Sequence, residues 1–302
     1  MKTAYQYKSG FVAVMGRPNV GKSTLVNALL GQKIAAVSPR PQTTRKHQLG
    51  ILTLEDAQIV FVDTPGVHRP RHKLGERMNE EAQDALKHCE LVLFLVDVSQ
   101  LPTDDDRLLA SRITSLHLAM KTMLVLNKID LLPANSAQEL KERQAVFHAL
   151  LPQADVFAIS ATRGDNRQVL LAAMLERLPE GEPFYPEEQV TDMFERDLAG
   201  ELIREAALLL LREEIPHGIA VRVDEFTERG ETGAFISATV IVERESHKPI
   251  VIGQGGSMLK KIGSAARKEI ETMSGRKVFL DLRVKVRKNW REDERAVRQL
   301  VG

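Results

Sequence analysis

The segment Gly16-Arg17-Pro18-Asn19-Val20-Gly21-Lys22-Ser23 sets two glycines five residues apart and follows them with a lysine and a hydroxyl residue. This is the spacing G-x-x-x-x-G-K-[ST]. Glycines let a backbone curl until several N–H groups face one anion, and a helix opening at Lys22 would add the positive end of its dipole. Lys22 would reach the β- and γ-phosphates of a nucleotide, and Ser23 would offer its hydroxyl to Mg²⁺. Further on, Asp63-Thr64-Pro65-Gly66 supplies a carboxylate suited to the same hard cation, directly or through water. Gly66 brings a backbone N–H within reach of a γ-phosphate, and Val67 follows it. Asn127-Lys128-Ile129-Asp130 then selects the base. Guanine presents N1–H and N2–H₂ donors to one carboxylate, whereas adenine would leave Asp130 unpaired, a discrimination on the order of 10⁴-fold. Asn127 can brace the loop and the base, the Lys128 stem can stack on the ring, and Ser160-Ala161 can bring a backbone N–H to guanine O6. The expected ligand is therefore GTP or GDP with Mg²⁺, not ATP.

Between the first two motifs lies Ser38-Pro39-Arg40-Pro41-Gln42-Thr43-Thr44-Arg45. Its two prolines forbid regular structure. A threonine here can complete the Mg²⁺ shell only while the γ-phosphate is present, which makes the segment an order–disorder switch. Spacing alone allows either Thr43 or Thr44. The stretch from Gly66 to about Gly75 would be the second switch.

These groups need a scaffold that delivers them to one place. Apolar runs at Phe11–Met15, Gln58–Val62, Leu91–Val96, Met123–Leu126 and Val156–Ile159 read as strands, mostly apolar on both faces as in a buried parallel sheet. Val26–Leu30, Glu80–His88, Ala137–Leu150 and Gln168–Leu178 suit helices between them. Each motif then follows the carboxyl end of a strand, where open α/β sheets bind ligands. The prolines and glycine of 178–188 interrupt this pattern and read as a stiff linker. The expected division is 1–178 for the nucleotide-binding domain, 179–190 for the linker and 191–302 for a second domain.

The second domain reads as a long amphipathic helix, Asp192–Arg212, then strands Ile219–Phe226 and Ala234–Glu243. A short helix, a helix Ser257–Ser274 stopped by Gly275, an alternating strand Val278–Val286 and a final helix near Trp290–Leu300 complete it. Gly253-Gln254-Gly255-Gly256 forms a G-x-x-G loop ahead of the long helix, where a nucleic-acid backbone could pack closely against helical N–H groups. From Arg244 to Arg291 there are 13 Lys and Arg against 4 Asp and Glu, whereas Asp192 to Glu243 holds 5 against 12. One half is thus strongly basic, and Lys260, Lys261, Arg267, Lys268, Arg283, Lys285 and Arg287 are the candidate RNA contacts. Cys89 and Trp290 read as packing residues, and Arg69, Arg71, His72 and Lys73 as solvated charge.

The set GRPNVGKS, PQTTR, DTPGV, NKID and SA resembles the translation-factor-related bacterial GTPases and is most similar to the Era family. The helix-strand-strand-helix-loop-helix-strand order around VIGQGG resembles a type II KH domain, the RNA-binding module of the same family. The implied fold is α/β: a P-loop GTPase domain with a mostly parallel sheet between helices, followed by an α+β KH domain. The resemblance implies Thr44 as the Mg²⁺ ligand and Asn19 as a position that in some relatives helps bind K⁺. It also implies that Val67 replaces the water-positioning glutamine of Ras-like enzymes. It implies binding near the 3′ end of small-subunit ribosomal RNA, a role in maturation of the small ribosomal subunit, and peripheral contact with the inner membrane surface. Unassisted Ras-like turnover is about 10⁻⁴ to 10⁻³ s⁻¹, and this chain lacks the glutamine as well, so slow basal hydrolysis is expected.

Composition bounds the alternatives. With 302 residues, 43% apolar and 27% charged, the chain can build cores. A net charge of +1 excludes a chain-wide polybasic binder. The single cysteine and the polar first residues lead us to expect a reducing compartment, the cytoplasm; the chain is expected to be a monomer. Two rivals remain at this level: an RNA scaffold that uses GTP as a structural ligand, and a membrane-surface GTPase whose basic half meets anionic lipid. The G-x-x-G loop favours RNA, and 5% aromatic content leaves little for insertion into lipid.

Overall fold

The computed structural model describes residues 7–37, 48–64, 73, 74, 76, 78, 86, 88–133, 137–212, 215–230 and 232–301. The chain divides into two compact units. The first comprises Met1–Ile34, Thr44–Arg69 and Met78–Asp192, and the second is formed mainly by Met193–Gly302.

The first unit is built on strands β1 (Lys8–Met15), β2 (Gln48–Thr53), β3 (Ala57–Asp63), β4 (Leu91–Asp97), β5 (Thr122–Asn127) and β6 (Asp155–Ala158). Their order is β2-β3-β1-β4-β5-β6, with only β2 antiparallel. β3, β4 and β5 are buried along their whole length. That is why their sequences are apolar runs rather than alternations. Helices α1 (Lys22–Leu30), α2 (Asp104–Ser115), α3 (Ala137–His148) and α4 (Arg167–Arg177) connect them. Two hydrophobic clusters, one centred on Val12, Phe61, Leu93 and Val125 and one on Phe94, Val96, Leu109 and Leu124, fill the two faces of the sheet.

Two elements escaped the sequence reading. β2 is an edge strand only six residues long, and its alternation is interrupted by Gly50. α2 is announced by a capping box: the Thr103 hydroxyl accepts from Asp106 N–H, while the Asp106 carboxylate accepts from Thr103 N–H at 2.9 Å. The helix expected over Glu80–His88 lies largely outside the described residues.

The proline-rich stretch, read as a stiff linker, is fastened to the first sheet. The buried Gln58 amide donates to Tyr185 O at 2.9 Å and Thr53 Oγ1 at 3.0 Å. It accepts from the N–H groups of Phe184 and Tyr185 at 2.7 and 3.0 Å. Ile51 N–H donates to Val190 O, and Phe11 packs on Phe184 with ring centroids 4.8 Å apart. Proline cannot continue a helix, but it leaves carbonyls and flanking N–H groups free to bind a sheet edge.

The second unit has strands β7 (Ala220–Arg229), β8 (Gly233–Val242) and β9 (Lys277–Val286) in that order. β7 is antiparallel and β9 parallel to the central β8. Helices α5 (Glu195–Leu210), α6 (His247–Ile252), α7 (Ser257–Ser274) and α8 (Glu294–Val301) complete it. α5 and α7 cover the inner face. Ile262, Ala266 and Ile270, one helical turn apart on α7, join Ile236, Ala238 and Val240 of β8 in one core. Trp290 is fully buried and donates Nε1–H to Gly218 O at 2.9 Å, and Cys89 is buried in the first unit, so both are packing residues as read.

Candidate functional site

β1 ends at Met15 and releases the chain into the glycine loop, which closes on α1. Gly21 has φ +104°, and a methyl group there would collide with the Asn127 amide. The position therefore needs glycine for both conformation and space. Asn19 sits in the left-handed region at φ 66°, which asparagine enters more readily than most residues. Lys22 is only 7% exposed. Its Nζ donates to Gly16 O at 3.0 Å and Arg17 O at 3.2 Å, so the ammonium lies over the loop it must serve. Burial lowers its pKa to about 8; Asp63 opposes that shift, and the Arg17 charge adds to it.

Ser23 Oγ donates to Asp63 Oδ2 at 2.6 Å, which joins the start of α1 to the end of β3. A hydroxyl and a carboxylate are both hard oxygen donors, so this pair fits Mg²⁺. Thr64 is fully buried, and its hydroxyl donates to Val14 O at 2.7 Å, pinning the turn after β3 to β1. Its side chain is structural, and only its backbone can serve phosphate. Pro65, Gly66, Val67, Thr43 and Thr44, with Arg69, Arg71 and His72, lie outside the described residues. Lys73 is exposed and pairs with Glu76 at 2.7 Å.

The Asn127-Lys128-Ile129-Asp130 motif leaves the end of β5. Asn127 faces inward: its Nδ2 donates to Val20 O at 2.7 Å, and its Oδ1 accepts from Ala161 N–H at 2.9 Å. One buried amide thus ties the phosphate loop to the Ser160-Ala161 loop after β6. Lys128 takes a left-handed backbone, φ 70°, which turns Asp130 into a short 3₁₀ segment where it is half-buried. Ser160 is buried and its Oγ accepts from Arg163 N–H, a turn-forming role.

Sequence reading missed one residue of this site. Asp97, the last residue of β4, accepts from Lys128 Nζ at 2.7 Å and from Ser99 Oγ at 2.6 Å. It also lies 3.9 Å from the Arg17 guanidinium. Burial raises its pKa, but the hydrogen bonds from Lys128 and Ser99 outweigh burial and hold it below the usual carboxylate range. The available signal was a lone carboxylate ending a fully apolar strand at the ligand-binding edge of the sheet. Arg17, read as a phosphate ligand, has its guanidinium engaged elsewhere, 3.3 Å from Asp106 and 3.3 Å from Gln100. Its contribution to phosphate would come from its backbone.

In the second unit the G-x-x-G loop joins α6 to α7. Gly253 has φ 74°, and a methyl group there would meet Met258 N at 2.6 Å, so the loop turns tightly against the first turn of α7. Gln254 and Gly255 are exposed and Gly256 half-buried. The predicted cations divide among three places. Lys260, Lys261, Arg267 and Lys268 stand exposed on α7. Arg283 and Lys285 project from the opposite, outer face of the sheet, because Leu282, Val284 and Val286 of β9 take the inner positions. Arg287 is tied to Gln299 at 2.7 Å and Asp293 at 3.4 Å. A single basic face is therefore not what the fold makes of them.

The comparisons agree with this layout. Residues 11–128 match the family described as 50S ribosome-binding GTPase, and residues 214–291 match the KH domain family. The chain is 46% identical over 295 residues to GTPase Era of Caldanaerobacter subterraneus subsp. tengcongensis, covering 97% of each chain. It is similar to the crystal structure of Era with MgGDPNP and nucleotides 1506-1542 of 16S ribosomal RNA, with a TM-score of 0.89, 39% identity and 97% and 98% of the two chains covered. A point variant of Aquifex aeolicus Era bound to GDP and AlF₄⁻ gives a TM-score of 0.91 at 39% identity, with the same coverage. With a P-loop GTPase unit and a KH unit both in place, this chain belongs to the Era family of GTPases.

Proposed function

We propose that the chain is a GTP-hydrolysing switch that binds the 3′ region of small-subunit ribosomal RNA and assists maturation of the small subunit. The observation that carries this reading is Asn127, whose one amide locks the phosphate loop to the base-binding loops in a chain that also folds a G-x-x-G domain. The loop N–H groups and Lys22 would hold the β- and γ-phosphates, Ser23 and Asp63 would hold Mg²⁺, and Asp130 would accept from guanine. Bound Mg²⁺ supplies neutralising charge to the phosphate oxygens. Water attacks the γ-phosphorus in line, and the bond to the bridging oxygen breaks to release GDP and phosphate. The chain's part is positioning and charge stabilisation, set up before the reaction. Val67 cannot orient water, so basal turnover is slow. Asn19 is our candidate K⁺ position, and faster turnover in potassium than in sodium would support it.

The matched GTPase family is described by the large subunit, whereas the RNA in the similar Era complex is 16S. The KH match lies outside the GTPase match, and we take the small subunit from the 16S RNA of that Era complex. Gln254→Asp combined with Gly255→Asp places two carboxylates where phosphate would pack, and aspartate tolerates left-handed backbone. GTP turnover in potassium buffer, with and without an RNA copying the 3′ end, should rise with RNA in the wild type and not in this variant. RNA binding without stimulation would favour the scaffold reading. No helix among the described residues is long and apolar enough to cross a membrane. Cytoplasmic location, a monomeric state and peripheral membrane contact belong to the same proposal, and light scattering and sedimentation with anionic vesicles check the last two.

A further inference from the structure

Arg17 stands in the phosphate loop, yet its guanidinium is committed to the turn between β4 and α2. Its Nε lies 3.3 Å from Asp106 Oδ2, and its Nη2 donates to Gln100 Oε1 at 3.3 Å. The same Nη2 is 3.9 Å from Asp97 Oδ2, the oxygen that accepts from Lys128 Nζ at 2.7 Å. Two cations and two carboxylates therefore meet beside the base-binding loop. Their side chains are 16% exposed for Arg17, 27% for Lys128, 4% for Asp97 and 1% for Asp106. The formal charges cancel, and removing a cation from a group this buried leaves a carboxylate unpaired.

The contacts extend on both sides of Arg17. Asp106 accepts from Thr103 N–H at 2.9 Å and from Thr103 Oγ1 at 2.7 Å, so the carboxylate facing Arg17 is itself fixed by the cap of α2. In the phosphate loop, Lys22 Nζ rests on the carbonyls of Gly16 and Arg17 at 3.0 and 3.2 Å. A path then runs from Lys22 to the Arg17 backbone, through the Arg17 guanidinium to Asp97, and on to Lys128. Asn127 joins the same loops through their backbones, whereas this path joins two side chains that would touch the nucleotide. We propose that Arg17 is a positioning residue for base recognition. It steadies Asp97, and through it Lys128, while fixing the carbonyl on which Lys22 rests, so that phosphate and base are read as one unit. This rests on the guanine-nucleotide reading above. Asp130 can accept from two donors on one edge of guanine only while the ring plane is held, and the Lys128 stem would set that plane. Arginine suits the position because its rigid fork of donors faces several acceptors at once, where a lysine offers a single point charge.

The test is titration of the full chain with GDP and with inosine diphosphate, which lacks the N2 amine. Arg17→Met should weaken GDP about tenfold and lower the preference for GDP over inosine diphosphate about threefold, because the second hydrogen bond to Asp130 loosens with the ring. A side chain that only held the phosphate loop would weaken both diphosphates equally and leave the preference where it was. Arg17→Lys keeps the charge and loses the fork, so it should fall between wild type and Arg17→Met. Gln100→Ala, at an exposed position, should shift the preference the same way by less. Lys128→Met should cost less in the Arg17→Met background than in the wild type, since both act through Asp97. An unchanged preference in Arg17→Met, or in Gln100→Ala if the first variant does not fold, overturns the inference, as do additive effects of Arg17→Met and Lys128→Met. A wild type that does not prefer GDP to ADP overturns the guanine reading itself, and this inference with it.

Discussion

At the nucleotide site Lys22, Asp63 and Asp97 are buried and already engaged, while Lys128 and Asp130 are half-buried. Lys22 holds two loop carbonyls, Ser23 holds Asp63, and Asp97 holds Lys128. On the second unit the groups offered to nucleic acid stand in water: Lys260, Lys261, Arg267, Lys268, Arg283 and Lys285 are all exposed. The two regions serve different ends. A buried, prearranged site makes discrimination expensive to evade, because a wrong ligand leaves desolvated groups unpaired. An exposed basic surface gives affinity that is graded, screened by salt and tolerant of sequence.

Asp130→Asn should show the largest effect. An amide cannot accept from both guanine donors, so GTP and GDP affinity should fall on the order of 10⁴-fold. Xanthine, which carries a carbonyl where guanine carries an amine, should gain. Nucleotide titration measures both, and a loss below tenfold would mean that specificity is not set at this carboxylate.

Salt separates the two regions next. Raising monovalent salt from about 50 to 200 mM should weaken RNA binding about 50-fold if four phosphates are neutralised along a single strand. Guanine nucleotide should weaken only a few-fold. Parallel salt slopes for RNA and nucleotide would erase the contrast between buried and exposed charge.

Proton linkage tests burial itself. Lys22 has its pKa lowered to about 8, and phosphates around it should raise that value again. Below pH 8 the amine is charged before binding. Above pH 8 nucleotide binding must take up a proton, and affinity should fall about tenfold per pH unit until the bound-state pKa is reached. Calorimetry in buffers of different ionisation enthalpy counts that proton. No uptake at pH 9 would show that Lys22 is not the buried group this geometry makes it.

The smallest effect is expected at Asp97→Asn. Losing the charged partner frees Lys128 and should weaken GTP and GDP alike by about tenfold or less. A double-mutant cycle with Lys128→Met checks the pairing, and additive effects would show that the two residues act separately.

How far the sequence could be read depended on the physics of each region. The nucleotide motifs are contiguous, and each follows an apolar run. Their positions at the strand ends were therefore legible from spacing alone, as were the G-x-x-G loop and the inner face of β9. Asp97 was less legible because its role comes from Lys128, thirty-one residues away in sequence. The contacts made by the stiff linker at 184–190 were not legible, because prolines announce what a segment cannot be, not what it binds.

By itself the sequence determined the chemistry proposed: a phosphate loop, a hydroxyl–carboxylate pair for magnesium, a carboxylate for guanine and a basic half behind a glycine loop. Tertiary structure alone decided which groups meet. It turned Arg17 toward Asp106, gave Asn127 to two loops, and split the basic half between α7 and the outer face of the sheet. The reason is geometric. Residue types and local periods are written in the chain, whereas distances between side chains far apart in sequence exist only once strands have paired and helices have packed.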